Sequence, residues 1–228
     1  MYKIKDCLWY LSFLYSKHIF SINLYPKIYE MPEFNFEKDI SFSKLQQDEI
    51  FDLVTFHDSY MIKNANVFDL KEIQNRMKKG QYCYIARADS QIVGIMWYAI
   101  KEVYSPDLHC TFLIGKNCMV SYNAFVRSDF RGKNILAGIR KVSFEELYQK
   151  GFYICLDWIR LDNKASLSAS KKFNAYSIGK IISGFFFGYH YIKSEIDDEK
   201  YIKIKELHDR WWKLKSIINR VNLFNKQI

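Results

Sequence analysis

Strand-like and helix-like stretches alternate along the middle of this 228-residue chain. Between residues 37 and 195, short runs rich in β-branched and aromatic residues are separated by stretches whose apolar residues recur at helical spacing. The β-rich runs on either side of the polar turn Ala88-Asp89-Ser90-Gln91 predict a hairpin, and Gly80 and Gly151 are placed to end two helices. The predicted order is β-α-α-β-β-β-α-β-α-β-β, which indicates a mixed α/β sheet.

Composition changes at both ends of this middle zone, and the changes predict three regions. Residues 1–36 read as an aromatic N-terminal extension, residues 37–195 as the α/β domain, and residues 196–228 as an acidic start followed by a basic amphipathic helix. The apolar stripe of that last helix, at 3-4 spacing, comprises Ile204, Leu207, Trp211, Leu214, Ile218 and Val221. We expect the helix to pack on the core or in a homodimer, and a peripheral membrane contact is the alternative.

The N-terminal run CLWYLSFLY, residues 7–15, is too short to span a bilayer, and no small-residue cleavage site follows it. A short helix that packs on the domain, on a partner or at a membrane surface is expected there. The five cysteines are scattered without a Cys-x-x-Cys pair, which argues against a disulfide framework and against a zinc site. We therefore expect a cytoplasmic protein without a metal, with a membrane-peripheral location as the alternative.

The charge of the chain favours an anionic partner. Lys and Arg number 34 against 25 Asp and Glu, which gives a net charge of +9. Such a charge suits a nucleotide, a nucleotide-sugar, a nucleic acid or a lipid headgroup, and a lysine-rich solvated surface explains it equally well. Nucleic acid is the least favoured of these partners, because the aromatic residues lie in β-rich, core-like runs and no recognisable binding motif is present.

The stretch FVRSDFRGKNILAGIRK, residues 125–141, predicts a turn that joins a strand directly to a helix. The backbone N–H groups of residues 131–136 lack intrahelical partners there, and the helix dipole adds partial positive charge. Arg131 and Lys133 add full charges, and Gly132 allows a ligand to approach the backbone closely. Together these features predict a pyrophosphate site. Taken alone, the turn is also compatible with an ordinary basic helix cap.

A second segment downstream, LDNKASLSASKKF, begins with Asn163 at a strand end and enters a short, lysine-bearing helix. The order of strand, Arg-Gly-Lys turn, long helix, strand and Asn-x-x-Ser helix start resembles the GCN5-related N-acetyltransferase (GNAT) superfamily over about residues 37–193. The loop RGKNIL is similar to the family's Arg/Gln-x-x-Gly-x-Gly/Ala, with Asn134 and Leu136 at its small positions. YNAFVRSDFRGKNI and DNKASL resemble bacterial members linked to surface polysaccharide synthesis.

The resemblance implies a GNAT-like α/β (α+β) fold, a mixed and mostly antiparallel central sheet flanked by helices, here with N- and C-terminal helical extensions. It also implies an acyltransferase that uses acetyl-CoA and no metal. The pantetheine arm would pair with the strand at 123–126, and Lys171 or Lys172 would reach the phosphoadenosine. The cofactor-binding residues implied in this way are Ala124, Phe125, Val126, Arg131, Gly132, Lys133, Asn134, Ile135, Leu136, Asn163, Ser166 and Lys172.

Direct acyl transfer needs a base, because the acceptor amine must lose a proton before it attacks. Asp157, inside the apolar strand YICLDWIRL, is the carboxylate expected in this role, since an acid among hydrophobic neighbours needs a partner or a raised pKa. The alternative is that it points to solvent or pairs with Arg160. Ser170 falls where the family has its tyrosine acid, so Ser170 or water protonates the thiolate, or no protonation is required. The acceptor-side candidates of second rank are Tyr122, Asn123 and His109.

The sequence therefore predicts an acetyl-CoA-dependent N-acetyltransferase acting on a primary amine of a small acceptor, preferably an amino sugar or a nucleotide-amino-sugar. The alternative is a non-catalytic module of GNAT fold that binds an acyl-CoA or a protein partner. The missing family tyrosine and the altered loop glycines favour that alternative.

Overall fold

The structure is a computed structural model that describes residues 15–26, 28–30, 32–60, 70–186 and 189–207. The helices of this part are α1 Ile50–Tyr60, α2 Leu70–Lys78, α3 Ile135–Gln149 and α4 Lys164–Lys171. Its strands are β1 Tyr15–Tyr25, β2 Ile40–Lys44, β3 Tyr82–Ala88, β4 Gln91–Ala99, β5 Glu102–Ser105, β6 Cys110–Ile114, β7 Cys118–Val126, β8 Ile154–Arg160, β9 Tyr176–Phe186, β10 Tyr189–Ile196 and β11 Ile202–Leu207.

Eight strands form one sheet in the order β10-β9-β1-β8-β7-β4-β3-β2. Every neighbouring pair in it is antiparallel except β7 and β8, which run parallel. A second sheet has the order β11-β6-β5. The predicted fold, a mixed and mostly antiparallel sheet flanked by helices, is confirmed.

Apolar side chains cover both faces of the large sheet, and each face has its own helices. On one face, Leu53 of α1 and Ile73 of α2 belong to the same buried cluster as Trp97 of β4. On the other face, Phe144 of α3 packs in a cluster with Tyr98. Neighbouring residues of β4 thus serve opposite cores, as the two-residue repeat of a strand requires. Each such fully buried large side chain stabilises the fold by roughly 1.5–3 kcal/mol.

The described residues of the N-terminal region include a strand of the large sheet and no helix. Residues 15–25 form β1, which pairs with β9 on one side and β8 on the other. Phe20, Ile22 and Leu24 face one core, and the polar residues between them face the opposite side of the sheet. That alternation is a strand pattern. The helix expected over residues 7–15 lies outside the described residues, apart from Tyr15, which begins β1.

The start of the predicted C-terminal helix is also a strand. β11 pairs antiparallel with β6, so Ile204 and Leu207 lie in the small sheet and not on a helix stripe. Ile202 and Ile204 alternate with lysines, which suits a strand with one apolar face. The remainder of the predicted helix, residues 208–228, lies outside the described residues. Within the described ranges, no helix combines the length and apolarity needed to cross a membrane.

Candidate active site

The two parallel strands at the centre of the large sheet separate along their length. β7 and β8 are paired only where residues 118–120 lie beside residues 154–156. Beyond that point β7 stays paired with β4 as far as Val126, and β8 stays paired with β1 as far as Arg160. The edge of β7 that faces β8 therefore has no strand partner over residues 121–126. A wedge opens there, and no strand pairs with the backbone of β7 along its wall.

A β-bulge at Asn123 accompanies this separation. Between the pairs Ile95–Phe125 and Trp97–Tyr122, β7 has one residue more than β4. Asn123 has a left-handed backbone with φ of 48°, a conformation that asparagine adopts more readily than most residues. A bulge bends its strand and increases the local twist, and this one lies just beyond the last residues of β7 that pair with β8.

The turn after β7 leaves its backbone accessible. Gly132 has φ of +83°, and a Cβ built at this position would meet no atom within 4 Å. Arg131 is exposed and donates from Nε to the Val126 carbonyl over 3.3 Å. Lys133 pairs with Glu37 at 2.9 Å. The turn therefore offers open space next to its glycine, with two cations beside it.

α3 begins directly after this turn. Asn134, in the left-handed conformation with φ of 57°, precedes the helix, and the first intrahelical bond runs from Gly138 N to Asn134 O at 3.0 Å. The N–H groups of residues 135–137 thus point toward the turn without helical acceptors. Ile135 is buried and Leu136 packs against the same core, so both side chains lie away from the turn. Leu136 therefore leaves this backbone accessible.

Gly94 of β4 brings the start of α3 close to the sheet. A Cβ at Gly94 would lie 2.6 Å from Cγ2 of Ile135, which is shorter than any normal contact. The first turn of α3 can therefore rest on β4 only because this residue has no side chain. Sequence reasoning missed Gly94, because an isolated glycine inside a strand pattern does not show which element approaches it.

Asn163 caps the N-terminus of α4, at the edge of the sheet where the Arg131 turn also lies. Its Oδ1 accepts from Ser166 N at 3.1 Å, which satisfies one free N–H of α4. Because β7 and β8 run parallel, their carboxyl ends, followed by Arg131 and Asn163, lie at one edge. Lys172 is exposed where α4 ends. Ser170 is buried, and its hydroxyl donates to the Leu167 carbonyl at 3.1 Å.

Asp157 lies in a buried polar cluster on the α3 side of the sheet. Its Oδ1 accepts from Asn23 Nδ2 at 2.8 Å, and its Oδ2 accepts from the Tyr25 hydroxyl at 2.5 Å and from Arg140 Nη2 at 3.5 Å. Burial raises the pKa of Asp157, and Arg140 and the two hydrogen bonds act in the opposite direction. Arg160 pairs with Asp162 instead, so the alternative of an Asp157–Arg160 pair or a solvent-facing Asp157 is wrong.

Arg140 of α3 contacts two strands and the segment after α4. Its guanidinium carbon lies 4.8 Å from the Tyr25 ring centroid and 4.7 Å from that of Phe173. Through Asp157 it also contacts β8, so α3 is held against β1, β8 and the segment after α4. This arrangement is that of a structural ion pair. The residues that sequence reasoning missed here are Asn23, Tyr25 and Arg140.

A groove of about 740 Å³ lies on the opposite face of the sheet. One side of α2 from Lys71 to Lys79, the hairpin of β5 and β6, and Tyr122 form its walls. The Tyr122 hydroxyl donates to Gln81 Oε1, and burial raises the pKa of Tyr122 far above its usual value. Tyr122 directly precedes the bulge, so the groove reaches the point where β7 and β8 separate.

Arg76 connects the groove to the bulge. Its guanidinium carbon lies 5.1 Å from the Tyr122 ring centroid and 5.2 Å from that of Trp97. With the Asn123 amide oriented so that its oxygen meets donors, that oxygen accepts from Arg76 Nη1 at 2.9 Å and Nη2 at 3.2 Å.

His109 does not line the groove but contacts a residue of its wall. Its Nδ1 is 3.3 Å from the hydroxyl of Tyr104, a residue of the groove wall, so the ring is linked to the groove through that hydroxyl. The described part of the chain contains no cluster of three His, Cys, Asp or Glu side chains able to hold a metal ion.

Comparisons with known proteins extend the description of the fold. No protein-family model and no curated protein matches the sequence. A conserved Staphylococcus epidermidis protein of unknown function has 10% identity and a TM-score of 0.51, over 86% of this chain and 68% of that one. A Drosophila protein has 11% identity and a TM-score of 0.50, over 86% of this chain and only 57% of that one.

A Novosphingobium aromaticivorans protein, assigned to the GNAT family as an acetyltransferase, has 11% identity and a TM-score of 0.49, over 79% of this chain and 66% of that one. At these identities the likeness concerns the fold alone.

Proposed function

We propose that this protein is an N-acetyltransferase that transfers the acetyl group of acetyl-CoA directly to a primary amine of a small acceptor, preferably an amino sugar or a nucleotide-amino-sugar. The proposal rests on one observation: the wedge between β7 and β8 and the groove beside α2 both reach the Asn123 bulge. The wedge between β7 and β8 leads to the Arg131 turn on one side, and the groove beside Tyr122 opens on the other. A donor and an acceptor entering from opposite faces would meet there.

The donor half of the site suits an extended molecule that ends in phosphates. The unpaired edge of β7, from Ala124 to Val126, can hydrogen-bond the amides of a pantetheine arm. The free N–H groups at the start of α3 and the Arg131 guanidinium can hold a diphosphate. No acidic residue lies in the first turn of α3, so the helix dipole is not offset there. Asn163 and Lys172, at the same edge, complete this half.

The reaction forms a bond between the amine nitrogen and the thioester carbon, and it breaks the bond from that carbon to sulfur. N–H groups of the unpaired β7 edge would stabilise the oxyanion of the tetrahedral intermediate. The amine proton leaves to a base, and the thiolate gains a proton or departs as the anion. Positioning the amine next to the thioester supplies a large part of the rate enhancement.

The three catalytic candidates have different surroundings. Tyr122 lines the groove, and its raised pKa keeps the hydroxyl protonated, so it can donate a hydrogen bond to the departing sulfur once it releases Gln81 Oε1. Asp157 would have to accept the amine proton through water while it keeps its three donors. Ser170 would have to release the Leu167 carbonyl. Tyr122 is therefore the candidate that the groove favours.

The test is an acetyl-transfer assay over a panel of primary amines, with thiol release and the acetylated product measured together. We expect acceptor-dependent thiol release by the wild type, and an Asn163→Ala variant with a raised KM for acetyl-CoA. Lys116→Gln, which changes an exposed lysine in the turn before β7, is the matched control and should leave both unchanged. Thioester consumption that no amine accelerates would refute the proposal and favour the non-catalytic module.

A further inference from the structure

We propose that the groove beside α2 recognises its acceptor through an anionic group, so that the amine substrate carries a phosphate or a carboxylate. This inference rests on the proposed function and adds the charge of the acceptor. Three lysines of the groove wall, Lys71, Lys78 and Lys79, would recognise that negative charge.

The spacing of these lysines places them along one side of the groove. Lys71 and Lys78 are seven residues apart on α2, which is close to two full turns, so they share one face about 10 Å apart along the axis. Lys79 follows directly where the helix ends. All three line the groove, and all three are exposed to solvent. The wall is thus a stripe of ammonium groups.

Each carboxylate of the groove wall forms its ion pair with a cation other than the three lysines, and Lys79 adds only a smaller attraction to Glu102 that lowers its pKa. Glu72 pairs with Arg76 at 2.8 Å, and Glu102 pairs with Lys205, which lies outside the wall, at 2.7 Å. No carboxylate in the described part of the chain lies within salt-bridge distance of Lys71, Lys78 or Lys79. The positive charge of the stripe is therefore available to a ligand.

Arg76 lies between the lysine stripe and the bulge and would orient a bound acceptor. Its side chain is engaged with Glu72, packs over Tyr122 and contacts Asn123 at the bulge. It is thus a positioning residue between the lysine stripe and the point where the thioester would lie. An acceptor with its anionic group on the stripe would extend its amine past Arg76 toward the bulge. A polycationic acceptor would meet like charges along that path.

The experiment compares acceptors that differ only in charge. An amino sugar, its phosphate monoester, its carboxylate analogue and a polycationic aminosugar are assayed with saturating acetyl-CoA. We expect kcat/KM for the phosphate monoester to exceed that for the neutral sugar by about tenfold or more. Each exposed ion pair contributes only a modest factor, but up to three lysines can act together on one phosphate. Comparison of the carboxylate analogue with the phosphate monoester shows which anion the lysine stripe favours. The polycationic aminosugar should be the poorest acceptor.

The triple variant Lys71→Gln/Lys78→Gln/Lys79→Gln should remove the preference mainly by raising KM for the phosphate monoester. The neutral sugar, acetyl-CoA affinity and the Lys116→Gln control should be unaffected. If the variant does not fold, the wild type supplies the test. Its KM for the monoester should rise with ionic strength while its KM for the neutral sugar stays constant.

Three outcomes would overturn the inference. Equal use of the neutral and anionic sugars would refute the charge preference and leave the proposed function standing. A preference that survives both the triple variant and high salt would place anion recognition elsewhere. Acetylation of no amine in the panel would overturn the inference together with the proposed function.

Discussion

Removal of the Asp157 carboxylate should destabilise the fold strongly. Asp157→Ala leaves Asn23 Nδ2, the Tyr25 hydroxyl and Arg140 Nη2 without the acceptor that they share. Arg140 is only 6% exposed, so water cannot replace the lost carboxylate around its guanidinium. The variant therefore leaves a buried positive charge without its counterion.

The magnitude follows from that uncompensated charge. Breaking a buried ion pair from one side typically costs about 3–5 kcal/mol, so we expect Asp157→Ala to lower the free energy of unfolding by about 4 kcal/mol. That is a large fraction of the roughly 5–15 kcal/mol by which a native domain is stable. The double variant Asp157→Leu/Arg140→Met removes both charges. It should be about 2 kcal/mol more stable than Asp157→Ala, because apolar replacement of a buried pair is often close to neutral.

Urea unfolding followed by tryptophan fluorescence measures these differences. The matched control is Asp162→Ala, which removes a carboxylate from the exposed pair with Arg160 and should leave the midpoint unchanged. The reasoning is refuted if Asp157→Ala is no more destabilising than Asp162→Ala. It is also refuted if the double variant loses as much stability as the sum of its two single variants.

Three further variants or conditions test single features of the site and the core. Gly94→Ala would place a methyl 2.6 Å from Ile135 Cγ2, so it should cost about 1–3 kcal/mol in urea unfolding and weaken acetyl-CoA binding. The methyl of Gly132→Ala meets no neighbour, but the alanine must adopt φ of +83°, which is unfavourable for a residue with a Cβ. Urea unfolding should therefore show a free energy of unfolding lower by about 1–2 kcal/mol. Burial raises the pKa of Cys110 and of Cys155 to about 12, so the folded protein holds these protons at a pH where the unfolded chain releases them. Stability measured against pH should therefore fall as pH rises from about 8.5 toward 12, and the slope should flatten in a Cys110→Ala/Cys155→Ala variant.

The elements that sequence predicted correctly have local signals. The hairpin of β3 and β4 has a polar turn between two β-rich runs, and α3 has helical spacing after the Arg131 turn. β1 also alternates apolar and polar residues, but sequence reasoning missed this strand, and the pattern does not show what its polar face, with Ser21 and Asn23, would contact. That polarity is satisfied only in the folded protein, where Ser21 Oγ donates to Asn23 Oδ1 at 2.9 Å and Asn23 donates to Asp157. A partner 134 positions away cannot be read from a local pattern.

The same distinction applies to the site. The Arg131 turn is contiguous in sequence, so its residues could be predicted together. The groove joins α2 to the hairpin of β5 and β6, and only the tertiary fold brings these together. The alternative in which Asp157 pairs with Arg160 was wrong for a simpler reason. Residues three apart in a strand face opposite sides of the sheet, so Arg160 could not reach Asp157, whereas Arg140 on the packed face of α3 could.

Calorimetric titration with acetyl-CoA is the decisive test of whether the Arg131 turn and the β7 edge form a donor site. We predict that the wild type binds acetyl-CoA and that Arg131→Glu raises the dissociation constant by about tenfold or more. Such a change, about 1.4 kcal/mol, is expected when a charged hydrogen bond to a phosphate is replaced by repulsion. The Lys116→Gln control should bind as the wild type does. Folded wild-type protein that fails to bind acetyl-CoA, or an Arg131→Glu variant that binds it equally well, would rule out the donor site at this turn.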